Sequence, residues 1–452
     1  MGETFVVIGG DAAGMSAASK AKRDNPDLEI IVFEKGDWVS YAACGMPYFI
    51  KGEIDTLDDL VQVTPEEFRT ERNIDLRTNH EVIDIDPTAQ IVTVDTPDET
   101  ITQPYDQLLI GTGASAIIPP LDGIDLPGVF TIHDMDEADA INNFIKEHDP
   151  SQAAIVGGGY VGIEMAEALL EHDIGIELFE MLPTILQPFG DVVAERVQRV
   201  LETNDVAVHL ETAVNGFEGD DTVTDVIAGA DAEKHPAELV VVGVGVQPNV
   251  ALAESAGIEL GPTGAIATDK YGRTNYEHIF AAGDCAEATH TVTDEPAYVP
   301  LALTANRAGR AIGQTVTGTP TPVGEIAGTA IVKALDVGAS RTGIIAEDEA
   351  NDAGYDPISV TIDAPTRAHY YPGATELTVT LVADRVSGRI LGASMVGKEG
   401  VKRIDTVATA LHAGLTVSDL ETLDLAYAPP FSPVWDPVLT AARVLAGKID
   451  SP

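Results

Sequence analysis

Gly157-Gly158-Gly159-Tyr160-Val161-Gly162 is the stretch that decides how this 452-residue chain folds. It follows the apolar run Ala153-Ala154-Ile155-Val156. A helical stretch over residues 163–172 comes next, then an apolar strand over 174–179 that ends in Glu180. This is a complete Gly-x-Gly-x-x-Gly between strand and helix, with an acid at the end of the second strand. Gly157 permits the tight turn, Gly159 lets backbone approach a pyrophosphate, and Gly162 lets helix and strand pack closely; Tyr160 stands in the same turn, a candidate to touch the nucleotide. Working outward, the same layout recurs at the start of the chain. A strand over 4–9 leads into Gly9-Gly10-Asp11-Ala12-Ala13-Gly14 and a helix over 15–23, and a second strand ends in Glu34, followed by Lys35. Asp11 replaces the middle glycine, which weakens that motif taken alone. Two units imply two dinucleotides. Glu180 suits a free ribose 2′-hydroxyl and repels a 2′-phosphate, and nothing basic follows it over 181–187, so NADH is favoured over NADPH at the second site.

The fold class expected is therefore α/β, with two Rossmann-like dinucleotide-binding domains. Three shorter stretches read as returns to the first nucleotide. One is Leu108-Leu109-Ile110-Gly111-Thr112-Gly113-Ala114. The second, Val240 to Val246, contains Gly245. The third is Ile279-Phe280-Ala281-Ala282-Gly283-Asp284. Asp284 reads equally as a ligand of a flavin ribityl hydroxyl or as the cap of a helix over 285–288. Residues 300–310, with Ala302 and Thr304, read as a helix whose small residues suit a flat ring. After a Pro/Gly-rich linker over 320–328 the pattern becomes alternating strands, with helices at 401–413 and 434–446, as in a separate α+β domain. The boundaries expected are 1–113 with 247–322, 114–246, and 325–452.

Composition narrows the setting. The chain carries 73 acidic against 26 basic residues, a net charge of −47. The acids are scattered, so the chain repels itself and repels nucleic acid. Salt near 1 M shrinks the Debye length to about 3 Å, which points to a halophilic cytoplasm. No apolar run reaches the roughly 20 residues of a membrane helix, and Met1-Gly2-Glu3 runs into a strand without the features of a signal peptide. Cys44 and Cys285 lie too far apart in sequence for a disulfide framework or a metal site, and no metal is expected.

Ser40-Tyr41-Ala42-Ala43-Cys44-Gly45-Met46-Pro47-Tyr48 follows the first nucleotide unit. Cys44 reads as a single redox thiol beside a flavin; the bland alternative is a small buried hydrophobe. Cys285, with no basic neighbour to lower its pKa, reads as structural.

On these residues the chain resembles the flavoprotein disulfide reductases, and within them the single-cysteine branch of coenzyme A-disulfide reductases, NADH oxidases and NADH peroxidases. That branch carries Ser-Phe-x-x-Cys-Gly-Leu/Met-Pro-Tyr, matched at 40–48. Thr112-Gly113-Ala114, Gly283-Asp284 and Thr304-Ala305-Asn306 also stand where the family has them. The resemblance implies FAD at Gly9, Gly10, Ala12, Ala13, Gly14 and Glu34, NADH or NADPH at Gly157 to Glu180, and a C-terminal dimerisation domain completing the partner's active site in a homodimer. Ala12 stands where the oxidases and peroxidases usually carry a histidine, which favours the disulfide reductases. The family places two tyrosines near the partner's thiol; Tyr427 matches one, and Tyr371 is favoured over Tyr370 for the other, with interface packing as the bland reading of both.

The activity implied is NAD(P)H-dependent reduction of a low-molecular-weight disulfide, coenzyme A disulfide foremost, through a mixed disulfide at Cys44 whose pKa is lowered. Ser40 and the basic cluster Lys20, Lys22 and Arg23 are candidates to hold that substrate; the three cations serve equally to complement the helix dipole. The alternatives are an NADH oxidase or a persulfide or polysulfide reductase on the same frame, and, more remotely, a flavin-binding docking or sensor protein without turnover.

Overall fold

The computed structural model describes residues 3–449; Met1 and Gly2, read above against a signal peptide, and residues 450–452 of the expected third domain lie outside them. The first sheet is five-stranded and parallel, in the order Ile279–Ala281, Gln107–Ile110, Thr4–Ile8, Glu29–Phe33, Asp75–Arg77. Its strands are near-continuous apolar runs because both faces are covered; Phe5, Val6, Val7, Leu108 and Leu109 are fully buried.

The helix Ala12–Asp24 covers one face and packs against the helix Ala302–Val316. A Cβ on Gly309 would stand 2.1 Å from the Ala13 carbonyl oxygen, and one on Gly313 would stand 2.5 Å from that of Ala17. At Gly309 and Gly313 the small residues of the later helix therefore let two backbones come together.

The second sheet repeats the plan in the parallel order Val206–His209, Gly175–Phe179, Gln152–Val156, Leu239–Val242, Val129–Phe130. An antiparallel sheet of Val214–Gly219, Val223–Ala228 and Glu233–Pro236 lies over it, sharing the apolar cluster of Val156, Phe179, Phe217, Val226 and Val240. Paired strands Ala114–Ala116 and Val246–Pro248 carry the chain between the two units. The rest of the chain forms a five-stranded antiparallel sheet from Ala330 to Gly397. Helices Ile404–His412 and Pro437–Ile449 accompany it. Both start about three residues later than the sequence pattern suggests. Residues 401–403 form a 3₁₀ turn, and Pro437 begins the last helix, where its fixed φ and missing N–H cost nothing.

All three units meet at Glu167, a buried carboxylate on the helix Tyr160–Leu170. It accepts from Lys51 of the first unit at 2.9 Å, from Lys333 of the third, and from the Leu335 N–H at 2.7 Å. Burial works to raise this carboxyl, but the bonds from Lys333, Lys51 and Leu335 outweigh it and hold it below the usual carboxylate range. A depressed carboxylate contributes stability that is present above the unfolded value of about 4.3 and is lost as pH falls through the folded one. Glu167→Gln should cost roughly 2 kcal/mol at pH 7, less than a fully buried pair, because Lys333 is half-exposed and Lys51 keeps Glu53. Urea midpoints of the two proteins should differ at pH 7 and converge in acid; equal midpoints at pH 7 would contradict this.

Candidate active site

The two glycine turns are built alike. Gly9 and Gly157 have φ of +105° and +108°, and a Cβ on either would strike the carbonyl oxygen of Gly111 or Gly243 at 2.1 or 2.5 Å. Only glycine serves there. At Gly14 and Gly162 a Cβ would lie 2.0 Å from the Gly9 or Gly157 oxygen, the close packing expected of the third glycine. Gly159 has nothing within 4 Å of its would-be Cβ, the open approach a pyrophosphate needs in front of a helix N-terminus. The residues present therefore fit a dinucleotide at the second turn.

The two acids are also alike. Glu34 accepts from the N–H groups of Gly10 and Gly36 at 2.7 and 2.8 Å; Glu180 accepts from those of Gly158 and Leu182 at 2.7 and 2.8 Å. Each carboxylate is aimed by its own turn and keeps lone pairs for a ribose hydroxyl.

The thiol loop is clamped to the first turn. Ser40 sits in the left-handed region at φ +48°. Its N–H donates to the Gly10 oxygen at 3.0 Å, and its carbonyl accepts from Gln62 at 2.8 Å. The Tyr41 N–H donates to Asp11 at 3.2 Å and that of Ala42 to the Leu60 oxygen at 2.9 Å. The 3₁₀ turn Ala43–Gly45 then carries Cys44 into the helix Met46–Lys51, whose Met46, Phe49 and Ile50 are buried. Cys44 itself is exposed and fills no core. Cys285 is fully buried, its thiol donating weakly to the oxygens of Ile110 and Ala282.

Acids surround the thiol. Shielding by the loop, then the charges of Glu164, Asp284 and Asp11, raise the Cys44 pKa, against only its own backbone N–H. The side chains acting on the sulfur are carboxyls, not cations, so the lowering expected from sequence does not come from them. Burial, followed by Glu167, pushes Glu164 up to about 7. Burial pushes Asp11 up to about 6 against the N–H bonds of Ala12 and Tyr41. Asp284 is raised by burial, opposed by His133. No helix follows Asp284, so it caps none, and its backbone carbonyl takes the Tyr298 hydroxyl at 3.0 Å.

Thr112 and Gly113 are tied by Asn249. The Asn249 N–H donates to the Gly113 oxygen, its side-chain amide to the Thr112 oxygen, and the Thr112 hydroxyl to the Asn249 oxygen. Gly245 turns at φ +114° and Gly283 at +84°, the latter over Ala13. Ala302 and Thr304 lie at the start of their helix, and Lys35 is exposed.

Of the basic cluster, Lys20 pairs with Asp24 at 2.5 Å, Lys22 donates to the Leu28 oxygen at 2.8 Å, and Arg23 is exposed. Tyr427 is hydrogen-bonded to Tyr370, which raises its pKa; Tyr371 stands outside that pair. Sequence reasoning missed Glu164, Glu167 and Asn249. Glu164, two residues past Gly162, was the one within reach of a local motif.

A profile described as "Pyridine nucleotide-disulphide oxidoreductase" matches residues 3–309, and that of its dimerisation domain matches 329–437. The chain is 40% identical over 446 residues to "NAD(P)H coenzyme A polysulfide/persulfide reductase" of Pyrococcus horikoshii, covering 98% of this chain and 99% of that one. It is 31% identical over 432 residues to coenzyme A disulfide reductase of Staphylococcus haemolyticus, covering 95% and 96% of the two chains. The solved structure of a NAD-dependent persulfide reductase from A. fulgidus is similar at a TM-score of 0.96 and 38% identity, covering 99% of this chain and 83% of that one.

The Glu164 carboxylate opposes ionisation of Cys44, so Glu164→Gln should speed iodoacetamide alkylation of Cys44 at pH 8 by roughly threefold, with buried Cys285 as the internal control. An unchanged or slower rate would contradict the charge assignment.

Proposed function

This chain belongs to the pyridine nucleotide-disulphide oxidoreductase family, and we propose that within it the protein reduces sulfur–sulfur bonds of coenzyme A-linked substrates through Cys44. It is an oxidoreductase that works with FAD and NAD(P)H. One observation carries the reading: the exposed thiol at the first glycine turn has no second thiol to pair with, because Cys285 is buried and held by Ile110 and Ala282. The second sulfur must come from the substrate.

The overall balance is NAD(P)H + H⁺ + R–S–S–R′ → NAD(P)⁺ + RSH + R′SH. The Cys44 thiolate attacks one sulfur of the substrate, expels the other half as a thiol, and keeps the first half as a mixed disulfide or persulfide. Two electrons and a proton then release the second thiol. Bound FAD supplies the two-electron relay between nicotinamide and sulfur. The first turn, Thr112, Gly113 and Asp284 would hold FAD; the second turn and Glu180 would hold the nicotinamide dinucleotide. Tyr427, hydrogen-bonded to Tyr370, would give a proton to a leaving thiol across a dimer interface, with Tyr371 the second tyrosine favoured from sequence.

Two substrates share this chemistry. The relatives named for persulfide and polysulfide are more similar than the disulfide reductase, which supports a coenzyme A persulfide or polysulfide ahead of coenzyme A disulfide. Arg23 and Ser40 are the open members of the substrate set proposed from sequence.

A homodimer is supported by exposed Tyr370, Phe431, Val434 and Trp435 in the third unit, Phe431 at 76%; apolar exposure on this scale marks an interaction surface. The FAD unit is assigned to 1–113 and 247–322, the nicotinamide unit to 114–246 and the dimerisation unit to 325–452. No described helix is long and apolar enough to cross a membrane, and the charge of −47 supports a high-salt cytoplasm as the working medium.

In molar salt, NADH consumption should be fast with coenzyme A persulfide or disulfide and at least about tenfold slower with oxygen. KM should be higher for NADPH than for NADH, because Glu180 would repel a 2′-phosphate. Cys44→Ser should lose about 10³-fold in disulfide turnover, as loss of a nucleophile does, while NADH still bleaches the flavin. Preference for oxygen, or turnover surviving in Cys44→Ser, would overturn the assignment.

A further inference from the structure

Outside the redox site, Glu177, His209 and His235 converge from three strands, Gly175–Phe179, Val206–His209 and Glu233–Pro236. The last belongs to the antiparallel sheet laid over the nicotinamide unit. Oε2 of Glu177 lies 2.8 Å from Nε2 of His209 and 2.8 Å from Nδ1 of His235. The three ligand atoms fall within 4.8 Å of one another, the one such group of His, Cys, Asp and Glu among the described residues.

Phe179 positions both rings, stacking on His209 at 4.8 Å and 10° and meeting His235 edge-on at 5.0 Å. All three side chains are half-buried and open to solvent. None figures among the groups acting on Cys44.

We propose that these residues form a binding site for a borderline divalent metal ion of the zinc class, with a fourth position open to water. Two imidazoles and one carboxylate select such an ion over calcium or magnesium, which prefer oxygen. Metal–ligand bonds of about 2.0–2.2 Å on a tetrahedron need donors roughly 3.3 Å apart. The two contacts to Glu177 would open by about half an ångström and the imidazoles close toward each other, within reach of side-chain rotation. The surrounding −47 charge concentrates cations at the surface. The site also lies beside the second nucleotide acid: the Glu180 N–H donates to the His209 oxygen at 2.9 Å. The alternative is a purely structural carboxylate–imidazole network locking the two sheets. No metal was expected from the sequence, where the three residues stand far apart at 177, 209 and 235.

The test is calorimetric titration of Zn²⁺ into chelator-treated holoenzyme, alongside Glu177→Gln, His235→Gln and Cys44→Ser. One ion per chain is expected, with affinity weakened at least about tenfold by either ligand substitution and retained in Cys44→Ser. If the ligand variants fail to fold, the unaltered holoenzyme decides. Zn²⁺ should raise its Tm, and X-ray absorption should show nitrogen and oxygen ligands without sulfur. No stoichiometric binding, undiminished affinity in both ligand variants, loss of binding only in Cys44→Ser, or sulfur in the coordination shell would each overturn the site.

Discussion

Glu167 is the constraint on which the arrangement depends. Taking a carboxylate out of water costs several kcal/mol, and a pair of lysines and a backbone N–H from two other units offset that cost. Charge-assisted bonds contribute about 1.5–3 kcal/mol each, so losing any one leaves the carboxylate undercompensated. The geometric consequence exceeds the energetic one. Lys51 ends the short helix that begins just after Cys44, so the bond to Glu167 fixes the thiol-bearing segment against the second nucleotide-binding unit. Lys333 and Leu335 fix the third unit, with its tyrosines, to the same helix. One buried group thereby sets the relation between both nucleotide turns and the proposed subunit interface.

The electrostatic setting of the thiol follows from the same junction. Glu164 is one helical turn before Glu167, and its own rise is due first to burial and then to Glu167's charge. Glu164 in turn raises Cys44. A thiol held high is ionised in a smaller fraction near neutral pH, but is a stronger intrinsic nucleophile once ionised. The carboxyls of Asp11 and Glu164, at about 6 and 7, titrate in the physiological range.

Much of this was legible in the sequence because it is local. The turns at Gly9 and Gly157, and the acids Glu34 and Glu180, sit at fixed offsets within one strand–turn–helix, where backbone geometry dictates residue type. Glu167 was not legible: its partners lie 116 to 168 positions away, and a glutamate in a helix looks solvated until those partners arrive. Asn249 was hidden in the same way, 137 positions from Thr112. The close packing at Gly309 and Gly313 was not legible either, because the backbone they meet, at Ala13 and Ala17, lies about 300 positions away. Asp284 reads as a cap only if a helix follows, and none does. The choice between Tyr370 and Tyr371 turns on one backbone step that motif matching does not resolve; the hydrogen bond to Tyr427 belongs to Tyr370.

Intact-mass measurement of the holoenzyme under non-reducing conditions, after exposure to coenzyme A disulfide in molar salt, tests the central chemistry most directly. A single coenzyme A adduct per chain, mapped to Cys44 and discharged by NADH, is the predicted result. No adduct, an adduct on Cys285, or one that NADH leaves in place would contradict a lone sulfur linking substrate to flavin.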